Sequence, residues 1–105
     1  MPTPVVLSVV FVPVEGSIEA VQVALSKGIG EIHEESGCEL YALHTGPDGT
    51  FVLLEKWSSE EELAEHAAGE RVARMNESLE GLLAVPAEIT RLHPVLAGTE
   101  TQGQL

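Results

Sequence analysis

The stretch Thr50 to His66 joins a strand signal directly to a helix signal, and the rest of the chain has to be arranged around that junction. Thr50 to Trp57 is rich in β-branched and aromatic residues and follows the turn signal Gly46-Pro47-Asp48-Gly49, which reads as a strand. Ser58 and Ser59 end it. Ser59 and Glu62 have capping-box spacing: the Ser59 hydroxyl accepts from the Glu62 N–H, and the Glu62 carboxylate reaches back to the N–H of Ser59. One aromatic, Trp57, is thereby delivered at a strand end and one imidazole, His66, on the following helix. These two side chains are the first candidates for a ligand pocket.

Around this junction the pattern is βαββαβ. Val5 to Val12 is an apolar run broken only by Ser8, as for a strand buried on both faces. Pro13 and Gly16 interrupt it, and Ser17 stands at a helix N-cap position with Glu19 in the first turn. Ile18, Val21, Leu25, Ile29 and Ile32 then recur three and four apart as the apolar stripe of a helix that Gly37 is expected to stop as its C′ residue. Gly28 and Gly30 interrupt this helix and mark close packing or a bend near a cavity.

Cys38 to His44 is a second strand, with Glu39, Tyr41 and Leu43 on one face and Leu40, Ala42 and His44 on the other. The tight turn after it makes a hairpin with the third strand, where Phe51, Leu53, Glu55 and Trp57 share a face. A short helix from Glu60 to Ala68 stops at Gly69, and another carries Val72, Met75, Leu79, Leu82 and Leu83. Pro86 opens a last strand, Ala87 to Val95.

The expected fold is α+β and ferredoxin-like, a four-stranded antiparallel sheet with helices on one face. Residues 1–96 form the domain, and 97–105 a flexible, polar tail. Strand one is apolar on both sides, and Leu40, Val52 and Leu54 lie opposite Trp57. Two apolar sheet faces with one helical layer lead to a homodimer packed sheet against sheet.

Several classes are disfavoured. Seventeen acidic against five basic residues give a formal charge of −12, which duplex nucleic acid or an anionic membrane surface would repel. One cysteine, Cys38, leaves no intrachain disulfide and no Cys-rich zinc site. No His, Asp and Glu cluster has ligand spacing on one element, so no metal is expected. Gly28 and Gly30 lie inside a helix and form no phosphate loop. The amino-terminal residues lack a basic leader pattern and no apolar run reaches membrane-span length, so the expectation is a cytoplasmic protein.

At this level of detail the chain resembles the antibiotic biosynthesis monooxygenase domain family, whose members form dimeric α/β barrels. The residues that carry the resemblance are Glu35-Ser36-Gly37-Cys38 with Tyr41, Phe51-Val52-Leu53 with Glu55, Trp57 and Ser59, and Leu63 with His66. It spans roughly residues 5–95. The family includes cofactor-independent oxygenases of phenols and quinols, haem-degrading enzymes, and proteins that process small signalling molecules. The haem-degrading pattern of Asn, Trp and His falls here on Ser8 or a neighbour, His66 and Asn76, so haem is disfavoured. The phenol-oxidising branch keeps a Trp that matches Trp57, but its Asn and Tyr companions are replaced by Leu53 and Leu63.

The resemblance implies a cofactor-independent monooxygenase that oxidises a small aromatic phenol or quinol, with molecular oxygen as co-substrate. The alternatives are a non-catalytic small-molecule-binding or stress-related barrel, and an isomerase of a small carbonyl compound. In the oxygenase reading His66 is the base and Trp57 a binding wall and N–H donor. Phe51, Leu53, Leu63, Val72, Met75 and Asn76 line the pocket with Glu55 and Tyr41. In the plainer reading His66 packs at a helix edge and Trp57 is the largest core residue. Glu55, buried on the Trp57 face, needs a partner, and Arg74, Arg71 or a backbone donor is expected to supply it. Tyr41 is either a pocket hydroxyl or a core ring, His33 is solvated, and His44 and His93 lie at edges or surfaces.

Overall fold

Buried and half-buried residues alternate without a break from Phe51 to Trp57, so one face of this strand points into the core and the other away from it. The structure, a computed structural model, describes residues 3–105. Its elements are β1 (Val5–Phe11), α1 (Ile18–Ile32), β2 (Cys38–Thr45), β3 (Phe51–Trp57), α2 (Glu60–Ala67), α3 (Glu70–Ser78) and β4 (Glu88–Leu92). The strands form one antiparallel sheet in the order β2-β3-β1-β4. This is the expected ferredoxin-like α+β arrangement.

Register decides which side chains share a row. Tyr41 on β2 lies beside Glu55 on β3, which lies beside Leu7 on β1. One row along, Leu43, Leu53, Val9 and Ile89 align. These rows meet Val21, Leu25, Ile29 and Ile32 of α1, Leu63 of α2 and Met75 of α3 in a single apolar core. Trp57, Leu25, Ile32 and Val21 are sealed from solvent. All five residues of β4 are exposed, including Ile89 and Leu92.

The hairpin turn follows from its residue types. Asp48 and Gly49 both have positive φ (56° and 76°), and Thr50 N–H closes onto the Pro47 carbonyl at 3.1 Å. Asp-Gly is the pair that tolerates two left-handed residues, and the resulting twist suits adjoining strands. Gly28 has a different role. A Cβ there would lie 2.6 Å from Cγ of Met75, so the missing side chain lets α1 and α3 approach.

Local expectations are corrected in four places. Helix α1 ends at Ile32, and a turn over residues 33–36 separates it from Gly37, which therefore is not the residue that stops it. Ser17 occupies the N-cap position without a side-chain cap bond. Helix α3 ends at Ser78; Leu79 and Leu82 lie in turns and Leu83 forms an isolated antiparallel bridge with Pro13, flanked by Val14 N–H to Leu82 O and Ala84 N–H to Val12 O, both 2.8 Å. Strand β4 covers 88–92 rather than 87–95, because its pairing to β1 runs only from Val10↔Glu88 to Val6↔Leu92. After it the chain turns over residues 99–103, and the Leu105 carbonyl accepts from Lys56 Nζ at 2.7 Å. No helix among the described residues is long and apolar enough to cross a membrane.

Candidate functional site

The strand period of two places Glu55 and Trp57 on the same face, and that spacing lets the indole reach the carboxylate. Trp57 Nε1–H donates to Glu55 Oε1 at 2.9 Å, with both residues buried. This is the partner that Glu55 needs. Of the arginines expected there, Arg74 is engaged elsewhere, pairing with Glu31 at 2.8 Å and with Glu70 at 3.9 Å. Burial pushes the Glu55 carboxyl above its ordinary range. The Trp57 hydrogen bond and the nearby His66 pull it partly back, and the Glu35 charge pushes it further up.

His66 reaches the same region from α2, one helical turn after Leu63; these are the two buried residues of that helix. Three aromatic rings gather here. His66 stacks on Trp57 with centroids 4.4 Å apart and planes tilted by 31°. Tyr41 meets both edge-on, at 5.6 Å from His66 and 6.2 Å from Trp57. His66 Nδ1 lies 2.7 Å from Oε1 of Glu35, in the turn after α1. Only 5% of the His66 side chain and 12% of the Glu35 side chain are exposed, so this contact is shielded from water.

The N-terminus of α2 is pinned to that same turn. Ser59 Oγ accepts from the Glu62 N–H at 3.2 Å, the donor half of the expected capping box. The other half differs. The Glu62 carboxylate accepts from Ser58 Oγ and, at 2.8 Å, from Ser36 Oγ instead of returning to the Ser59 N–H. These hydroxyls, Ser58 first, hold the Glu62 carboxyl below its ordinary range. Gly37 lies against that carboxylate: a Cβ would meet the Glu62 carboxyl carbon at 2.3 Å, and its φ of +81° already favours glycine. Ser58 N–H completes the clasp on the Gly37 carbonyl at 2.9 Å.

Between the helix face of the sheet and helices α2 and α3 lies a cavity of about 260 Å³. Of the residues singled out from the sequence, Tyr41, Leu53, Glu55, Leu63, His66, Val72, Met75 and Asn76 line it. Phe51 and Trp57 do not; both are packed into the core, with Trp57 behind His66. The sequence reading missed Leu7, Val9 and Phe11 of β1, Ala67 of α2, and Ala87 and Ile89 at the β4 end. The alternation of β1 with the Trp57 face could have found the first three. Glu35 was missed as well, and it lines a groove of about 460 Å³ outside the cavity, to which His66 also contributes.

The polar equipment of the cavity follows from what is already bonded. Among the described residues no buried polar side-chain atom lacks a partner. Among the described residues His66 Nε2, Glu55 Oε2 and the Tyr41 hydroxyl have no hydrogen-bond partner from side chain or backbone, so each reaches accessible space. Burial, reinforced by the Glu55 charge, keeps the Tyr41 hydroxyl well above its ordinary range, so it stays a neutral donor. Burial and the Glu35 and Glu55 charges push the Cys38 thiol up to about 11, leaving it uncharged at neutral pH and a poor nucleophile. His33 is exposed, as expected, and its Nε2 also bonds the Tyr41 carbonyl at 2.9 Å. His44 and His93 are exposed. No group of three or more His, Cys, Asp or Glu among the described residues is placed to hold a metal ion.

The family model described as antibiotic biosynthesis monooxygenase matches residues 4–78, which run from β1 through α3. Among solved structures the chain is similar to Rv0793 from Mycobacterium tuberculosis, with 28% identity and a TM-score of 0.84 over 92% of this chain and 100% of that one. PA3566 from Pseudomonas aeruginosa matches at 26% identity and a TM-score of 0.82, covering 91% and 98% of the two chains. The fold is shared with SO0527 from Shewanella oneidensis, at 24% identity and a TM-score of 0.83 over 92% and 96%. No curated protein matches the chain.

Proposed function

The chain belongs to the antibiotic biosynthesis monooxygenase family, and on that premise we propose that it is a cofactor-independent monooxygenase of a small phenol or quinol. The observation that carries this reading is His66, the imidazole on the wall of an otherwise largely apolar cavity, with its Nε2 unengaged. A phenol becomes an adequate reductant of oxygen once it loses its proton, so the protein has to supply a base and a dry pocket. His66 Nε2 takes the hydroxyl proton. The phenolate gives an electron to O₂, a C–O bond forms at a ring carbon, and the peroxide loses water to leave a quinone. One oxygen atom ends in the product and the other in water, and the substrate supplies all the electrons. No metal or organic cofactor enters this scheme.

Cavity size narrows the substrate. A volume of about 260 Å³ exceeds the ~150 Å³ that accommodates benzene and lies below the ~300–1,000 Å³ typical of drug-sized ligands. One or two fused rings suit it better than three. The Tyr41 hydroxyl and the Asn76 amide are the donors available to the developing oxyanion.

We extend the reading to a homodimer through the sheet face that carries Val10, Leu40, Val52 and Leu54, which no helix covers. The acidic surface argues against nucleic-acid and membrane partners. A single-chain mass in solution would remove the dimer.

A non-catalytic binding protein is the second reading. It is favoured by Trp57, whose indole N–H is spent on Glu55 and whose ring does not line the cavity. Oxygen uptake with dihydroxynaphthalenes and monocyclic quinols, in the presence of chelator, separates the two. The oxygenase requires uptake that falls by at least ~100-fold in His66→Ala, the usual scale for a lost general base. Binding of the same compounds without uptake above the spontaneous rate, by folded protein, transfers the function to the second reading.

A further inference from the structure

We infer that Glu35 is the positioning residue of His66, fixing the imidazole tautomer and orientation so that Nε2 is presented to the cavity. This rests on the reading of His66 as the base. A neutral imidazole carries one proton, and the nitrogen that holds it is set by the better acceptor nearby. Glu35 Oε1 lies 2.7 Å from Nδ1, and among the described residues no other side chain bonds the ring. The proton therefore resides on Nδ1, and Nε2 keeps its lone pair for a substrate hydroxyl. When Nε2 takes that proton the ring becomes a cation beside a shielded carboxylate, which stabilises it.

The location of Glu35 separates this role from substrate binding. His66 lines both the cavity and the outer groove, whereas Glu35 lines the groove alone. The imidazole thus forms a partition, with substrate on one side and Glu35 on the other. Glu35 is itself fixed at both ends of its backbone, its N–H to Ile32 O at 2.9 Å and its carbonyl from Cys38 N–H at 3.3 Å. Ser36, the next residue, is tied to Glu62 on the helix that carries His66. The clasp between this turn and the start of α2 therefore sets the distance between carboxylate and ring.

The test combines ¹⁵N NMR of the histidine rings with steady-state oxygen uptake, on the full chain. In the wild type at a pH where the ring is neutral, His66 should show Nδ1 protonated and Nε2 bare. Glu35→Ala should lose that preference and lower kcat by roughly 10–100-fold, the usual effect of removing a ligand's orienting partner, with KM nearly unchanged. Glu35→Gln, which keeps a neutral acceptor, should retain the tautomer and still lose most of kcat through the missing charge. Loss of the tautomer in Glu35→Ala supports the assignment even where the wild type oxidises nothing, an outcome that sinks the oxygenase reading alone. A wild-type ring protonated on Nε2, or a Glu35→Ala protein with unchanged tautomer and kcat, overturns it.

Discussion

Trp57 and His66 stack with centroids 4.4 Å apart, and the imidazole lines the cavity while the indole lies behind it. The indole's polar edge is spent on Glu55. The largest side chain in the protein thus supports two ionisable residues from the rear instead of forming the pocket wall.

Removing that support should be costly. Trp57→Phe leaves the Glu55 oxygen buried without its donor, a penalty of about 1–3 kcal/mol before any packing loss. The urea midpoint should fall with little change in slope. Adding Glu55→Leu to Trp57→Phe should recover a large part of the loss, because deleting both partners removes the orphaned acceptor. A double variant no more stable than Trp57→Phe alone would show that the bond carries little of the indole's contribution.

Glu55 also predicts a pH dependence. Its folded-state carboxyl titrates above the ordinary value of 4.5, so the native state holds the proton more tightly than the unfolded chain. The stability this contributes is full below about pH 4.5 and is lost as pH rises through the raised pKa. Glu55→Gln lacks that loss, so its stability relative to wild type should climb from pH 4 to pH 8. Glu31 and Glu62 are held below their ordinary range, by Arg74 and by the serine hydroxyls, and act in the opposite sense. Both are present in the two proteins and cancel in the difference. Parallel stability curves would refute the assignment.

Gly28 couples helix packing to the cavity. Alanine there would bring its Cβ within 2.6–2.9 Å of the Met75 side chain, which also lines the cavity. Alanine gains about 0.5–1 kcal/mol of helix propensity, but overpacking costs about 1–3 kcal/mol. Gly28→Ala should therefore be net destabilised and should bind a dihydroxynaphthalene more weakly than wild type, as titration would show. Tight binding with raised stability would mean that Met75 moves aside freely.

Much of the fold was legible because it follows from local period. Alternation along Phe51–Trp57 places Phe51, Leu53, Glu55 and Trp57 on one face, and the structure has them there. The three-and-four spacing of Val21, Leu25, Ile29 and Ile32 marks the buried stripe of α1, although Ile18 at its start is exposed. Period also underlies the β1 residues that were missed as lining, since Leu7 and Val9 pair with Glu55 and Leu53. Element ends were less legible. Gly37 reads as a helix stop, but it lies beyond the end of α1, where its φ of +81° favours glycine and its missing side chain leaves room for the Glu62 carboxylate.

The order of elements, the faces they bury, the strong acidity and the arrival of an imidazole on the helix after β3 all follow from the residues in order. The hydrogen-bond partners do not; they are decided by how the segments dock. Glu35 meets His66 across a long stretch of chain, and Glu55 takes the indole in preference to an arginine. Periodicity is a property of one segment and tells which way a side chain points. A hydrogen bond between segments depends on how two elements are docked to within an ångström, and that docking is set by the packing of the whole core.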